Sequence, residues 1–170
     1  MEKKNFKLRQ VVQLNNDLNA IQINHMKLGV TYKQGVRLSK NKLDIKIFTD
    51  EYNCQLEDIL SSNTKTLKEC GIDKKDLQVN TNDPKNPYSF VIVNKEEKRV
   101  VQHKGKFAIE DTEDYKNITD KTEELLNKEV EDFPQMQTLK FSEKEKENEF
   151  NLNFLPWIDT FTLFNIVKLD

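Results

Sequence analysis

The sequence predicts an α+β fold in which an N-terminal antiparallel helical hairpin packs with a small antiparallel β-hairpin or sheet and C-terminal helices. Three observations predict it. Val11, Leu14, Leu18, Ile21 and Leu28, with His25 completing the series, recur at spacings of three and four, which places them on one side of a helix. Tyr88 to Ile109 concentrates β-branched and aromatic residues between short turn-forming stretches. The chain closes on Ile158, Phe161, Leu163, Phe164 and Val167, a second apolar series at helical spacing. Each of these faces needs cover, and one core supplied by all three is the simplest arrangement.

The 170 residues suffice for a single α+β domain covering 1–170. Hydrophobic content is only 36%, but ten phenylalanines and one tryptophan provide large units of apolar area, so a modest core with polar segments outside it is expected. The net charge of -2 conceals a gradient: residues 1–46 hold ten Lys or Arg against three acidic residues, and residues 110–132 hold ten acidic residues against three Lys. Such opposite blocks neutralise one another within a subunit or between subunits.

Taken in order, the first helix is expected from Asn5 or Phe6 to Leu28, with Gly29 free to adopt a left-handed terminal conformation. Thr31 to Gln34 reads as a capping box opening a second helix, whose stripe is Leu38, Ile45, Phe48, Tyr52, Leu56 and Ile59. Leu43, Ile45 and Ile47 also alternate with charged residues, so a strand at 42–48 competes with that helix. Residues 61–89 read as a polar connection, broken by Asp83-Pro84 and Asn86-Pro87. A hairpin follows, with strands at Tyr88–Val93 and Lys98–Gln102 joined by Asn94–Glu97, and a further short strand at Lys106–Ile109. An acidic helix is expected from Asp111 to Asn127, with Tyr115, Ile118, Thr122, Leu125 and Leu126 turned inward. Around Pro134 the chain reads as extended or irregular, anchored by Met136 and Leu139. The Glu-Lys run makes 142–150 a charged spacer, and the last helix starts near Pro156.

Motifs that carry chemistry are sparse. The two histidines, His25 and His103, have no ligand partners nearby in sequence, and Cys54 and Cys70 lie too far apart for a zinc pair; they could pair with each other, but in an intracellular-looking, lysine-rich chain they read as free thiols. The four glycines are isolated, which removes a phosphate-binding loop, and there is no nucleophile elbow. Asp111, Glu113 and Asp114 suit a helix start better than a metal site. Nothing calls for a cofactor. No apolar run reaches the length of a membrane span, and the opening MEKKNFKLRQ lacks the hydrophobic stretch of a secretory signal, so a cytoplasmic location is expected and the Asn117-Ile118-Thr119 acceptor should carry no glycan.

Gly105-Lys-Phe-Ala-Ile-Glu-Asp111, Glu123-Glu-Leu-Leu-Asn-Lys-Glu-Val130, Leu139-Lys-Phe141, the early helix and the apolar closing helix together resemble a family of small, largely uncharacterised proteins from bacteriophages of Gram-positive hosts. The best local match lies at 105–141, and the chain departs from the pattern in a larger 78–104 region and the Glu/Lys spacer. The resemblance implies a phage accessory or virion-associated protein working in the host cytoplasm. It brings no catalytic residues.

Three functions are therefore expected, in this order. The first is a non-enzymatic protein-interaction module that docks a viral or host protein, or a second copy, through the first helix or through Phe154, Trp157, Phe161 and Phe164 unless those aromatics close the core. The second is nucleic-acid binding through Lys3, Lys4, Lys7, Arg9, Lys40 and Lys42. The third is a small metal-assisted enzyme built on dispersed carboxylates or on a histidine paired with an acid.

Overall fold

The computed structural model of the protein describes residues 5–24, 30–79, 88–93, 95–139 and 155–167. It is an α+β structure with N-terminal helices, a small antiparallel sheet and further helix toward the C-terminus. The chain gathers into two compact units, 1–52 with 126–170 and 53–125.

The first unit begins with strand β1 (Phe6–Lys7) and helix α1 (Leu8–Asn24). The expected stripe is the buried one: Val11, Leu14, Leu18 and Ile21 are all core residues. His25, Leu28 and Gly29 lie outside the described residues. The helix starts later than expected because Phe6 and Lys7 pair antiparallel with β6 (Glu129–Val130), and the Leu8 N–H extends the ladder to the Lys128 carbonyl at 2.9 Å. A pair this short leaves no periodicity in the sequence, and its two halves lie more than a hundred positions apart.

Helix α2 (Tyr32–Asp44) opens with the expected capping box. The Gln34 N–H donates to Thr31 Oγ1 at 3.4 Å and the Thr31 N–H to Gln34 Oε1 at 2.9 Å, so two donors that a helix start leaves open are satisfied. Residues 42–48 are helical rather than strand, but the expected single helix is interrupted. Ile45 is a turn between α2 and α3 (Lys46–Ser62), with its N–H held by the Asn41 carbonyl and its side chain fully buried. Residues 131–139 form the irregular segment expected around Pro134, and Met136 and Leu139 anchor it in the core. A 3₁₀ turn (Leu155–Trp157) and a short helix α5 (Ile158–Leu163) close this unit. Phe6, Phe133 and Phe164 form its aromatic centre, with ring centroids 4.3 to 5.2 Å apart, and Phe48 stacks on Phe133 at 5.8 Å.

The second unit is built on a four-stranded antiparallel sheet of order β2-β3-β4-β5, comprising Leu77–Val79, Tyr88–Val93, Glu96–His103 and Lys106–Ile109. Val91, Val100 and Ile109 share one face by register, and Cys70, Ile72, Leu77 and Val93 pack against them. The β4–β5 turn is made by Lys104 and Gly105, both at positive φ (47° and 76°), the two-residue geometry that suits strand twist. The expected polar connection at 61–89 carries pairing over its first part. Lys65 bridges to Phe107 through bonds of 2.7 and 2.9 Å, and β2 pairs with β3, so 61–79 is structured; 80–87 lie outside the described residues, as do 140–154 with the expected spacer. Helix α4 (Glu113–Asn127) buries Ile118 and Leu125, with Tyr115, Thr122 and Leu126 half-buried.

Candidate functional site

Helix α2 is bifacial in an unusual sense. Its inner face carries Leu38 but also two polar residues, Gln34 in the capping box and Asn41, whose side chain is bonded to the Gln137 backbone. Its outer face is apolar: Tyr32 is 87% exposed, Val36 51%, Leu43 68% and, past the Ile45 turn, Ile47 69%. At about 100° per residue these four fall on one narrow arc of a helix, opposite Gln34, Leu38 and Asn41. The Ile45 turn keeps right-handed backbone (φ -93°, ψ -3°), and the Thr49 N–H reaches its carbonyl at 3.3 Å, so the arc carries on into α3.

Beside this stripe runs a groove of about 430 Å³ between α1 and α2. Leu18 and Ile21 supply one wall, Val30 to Tyr32 one end, and Gly35, Val36, Leu38, Ser39 and Lys42 the other wall. A Cβ at Gly35 would meet nothing within 4 Å, so the missing side chain leaves the groove open rather than making room for the fold. Lysines flank the stripe on both sides: Lys33 and Lys40 on one, Lys42 and Lys46 on the other, with Lys46 paired to Asp50. Exposed apolar residues between rows of charge are the anatomy of a docking face.

The residues singled out from sequence are distributed differently. Phe161 and Phe164 are buried in the core of the first unit, where they are unavailable to a partner; Trp157 is half-buried, and Phe154 lies outside the described residues. Of the basic residues, Lys3 and Lys4 lie outside the described residues, Lys7 and Arg9 are exposed on β1 and the first turn of α1, and Lys40 and Lys42 flank the α2 stripe.

The second unit holds the chain's one described histidine in a polar cluster. His103 Nε2 lies 3.1 Å from Glu57 Oε1 and 3.5 Å from Ser61 Oγ, Ser61 also donates to Glu57 at 3.4 Å, and Lys104 pairs with the same carboxylate. A serine nucleophile needs its base oriented by an acid at the other ring nitrogen. Here acid and serine meet one nitrogen, and the cluster acts as a clasp between α3 and the β4–β5 turn. The Lys104 ammonium, more than His103, holds the Glu57 carboxyl below its ordinary value. A carboxyl depressed by folding adds stability above its unfolded pKa, and that contribution is lost as pH falls through the lower folded value. Glu57→Gln is therefore expected to flatten the acid side of the stability–pH curve below the ordinary carboxylate range, as read by thermal unfolding across pH.

The acidic trio at the start of α4 diverges. Asp111 pairs with Lys98 at 2.7 Å and Asp114 with Lys65 at 2.6 Å, both lysines of the same unit, while Glu113 is exposed. Among the described residues no three His, Cys, Asp or Glu side chains converge as a metal site would require. Cys54 and Cys70 are free thiols, and burial raises the Cys70 thiol, which keeps it protonated and a weak nucleophile. No helix among the described residues is long and apolar enough to cross a membrane.

No protein-family model, curated protein or solved structure matches the chain.

The outer stripe went unread in the sequence although its signal is there. Tyr32, Val36, Leu43 and Ile47 are spaced by four, seven and four, a helical series interleaved with the one that contains Leu38 and Ile45. Two apolar series on one helix do not reveal which faces the core.

Proposed function

We propose that the chain is a non-enzymatic protein-interaction module whose docking surface is the outer face of α2 continued into the first turn of α3. The observation that carries this reading is that, of the five large hydrophobic residues exposed among the described residues, four, Tyr32, Val36, Leu43 and Ile47, lie on that face. The groove between α1 and α2 adds a recess into which a partner side chain fits. The resemblance of 105–141 to small phage proteins supports, on this reading, a phage accessory protein that docks a viral or host protein in the host cytoplasm.

A photo-reactive residue in place of the exposed Lys40 tests it in the cells that make the protein. We expect Lys40 cross-links to a protein that vanish in the double variant Val36→Asp/Leu43→Asp. Both residues are exposed, so the variant should keep its circular dichroism spectrum and remain within about 0.5 kcal/mol of the parent in stability. Cross-links that persist unchanged in the double variant place the interface elsewhere.

A further inference from the structure

The charge around the stripe narrows the partner, an inference that rests on the docking reading above. We infer that the occupant of this face is an acidic amphipathic helix of another protein, laid along α2 with its apolar side on Tyr32, Val36, Leu43 and Ile47 and its carboxylates against the flanking lysines.

From Tyr32 to Asp50 the chain has five basic residues and two acidic ones; the Lys46–Asp50 pair removes one of each, which leaves four basic residues, Arg37 among them with its bond to the Thr138 carbonyl, against Asp44. Lys33 and Lys40 are exposed along one side of the stripe. An apolar ridge between two basic rows is complementary to an apolar ridge between two acidic rows. The stripe runs fifteen positions, or about 22 Å of helix, so a partner helix of about four turns covers it. Gly35 and Ser39 line the groove along one side, and small residues there let a large apolar side chain of the partner enter between α1 and α2.

A second copy fits this face less well. A two-fold dimer through α2 would set each basic rim against its own image, a like-charge arrangement across a self-complementary interface. The acidic helix of this chain, α4, buries Ile118 and Leu125 and so has no apolar ridge left from those residues to offer. Nucleic acid would satisfy the lysines but leave Tyr32, Val36, Leu43 and Ile47 without a role, since phosphate contacts need no apolar ridge.

The test is fluorescence anisotropy of the full chain with three labelled helical peptides of about 18 residues. One carries leucines at helical spacing flanked by Glu, one has the same leucines flanked by Lys, and one keeps the Glu but replaces the leucines with Ser. A single-stranded oligonucleotide is the fourth probe. The Glu-flanked leucine peptide should bind at least about tenfold more tightly than the other probes and weaken as salt is raised. Leu43→Asp should lower its affinity at least about tenfold. So should Gly35→Leu, which fills the groove while replacing a helix-interior glycine with a better helix former. Absence of binding by the Glu-flanked peptide at about 1 mM, or equal binding by the Lys-flanked one, overturns the acidic occupant. If Lys40 cross-links nevertheless still depend on Val36 and Leu43, the docking reading survives with a partner of other chemistry. Preferred binding of the oligonucleotide, indifferent to Leu43→Asp, overturns both.

Discussion

Phe161→Ala is expected to lower the stability of the first unit by about 3–5 kcal/mol, the cost of emptying an aromatic side chain from a core that cannot fully collapse around the gap. Phe161 is 0% exposed and heads the fully buried side chains by size. Its backbone is committed as well: the carbonyl accepts from the Ile166 N–H at 2.8 Å and the Val167 N–H at 3.2 Å, closing the turn after α5. The loss is a large share of the roughly 5–15 kcal/mol typical of a whole domain. Urea unfolding followed by the fluorescence of Trp157, the single tryptophan and a residue of the same unit, measures it as a lowered midpoint. The same experiment separates two roles that an aromatic residue can have. A partner anchor would leave the midpoint where it is and weaken binding; a core residue does the reverse, and a midpoint unchanged in Phe161→Ala would contradict the packing described above.

That separation was out of reach in the sequence. Phe154, Trp157, Phe161 and Phe164 look alike as a cluster at helical spacing, and apolar composition is the same for a residue that closes a core and one that meets a partner. What local chemistry determines was legible. The Val11, Leu14, Leu18 and Ile21 stripe is the buried one, Thr31 and Gln34 form their capping box, and Lys106–Ile109 is a strand with the expected limits. What depends on a distant partner was not. Phe6–Lys7 becomes a strand only because Glu129–Val130 lies beside it, and Leu77–Val79 only because β3 does. Neither stretch is long enough to show a period of its own. The break at Ile45 is of the same kind: no glycine or proline marks it, and the residue at the break is a fully buried core residue. For the candidate site, Lys40 and Lys42 were found from charge alone, whereas the apolar residues between the lysine rows were missed because α2 has an apolar series on each side.

A helix with two apolar sides can pack either way round, and Asn41 decides the matter. Its side chain is 0% exposed, donates from Nδ2 to the Gln137 carbonyl at 2.9 Å and accepts the Gln137 N–H on Oδ1 at 2.5 Å, imitating one pair of a β-ladder. Arg37 adds a bond to the Thr138 carbonyl at 2.7 Å, and the same segment is tied on to Asn165 and Ile166 through the Thr138 hydroxyl and the Leu139 N–H. Turning α2 about its axis would break this paired bond and leave Asn41 on the outer side, so the polar residue sets which apolar series faces solvent. Asn41→Ala should cost about 2–4 kcal/mol, because both Gln137 backbone groups lose their partner at once. Asn41→Leu is the sharper variant. It restores the lost volume but neither bond, so a hydrogen-bonding role predicts destabilisation close to that of alanine, while a mere packing role predicts that leucine recovers most of it. With the lock gone, the two orientations of α2 become closer in energy. A cysteine at position 43, readily alkylated in the parent, should then be protected for part of the population, and an unchanged alkylation rate in the Asn41→Leu background would show that something other than Asn41 holds the stripe outward.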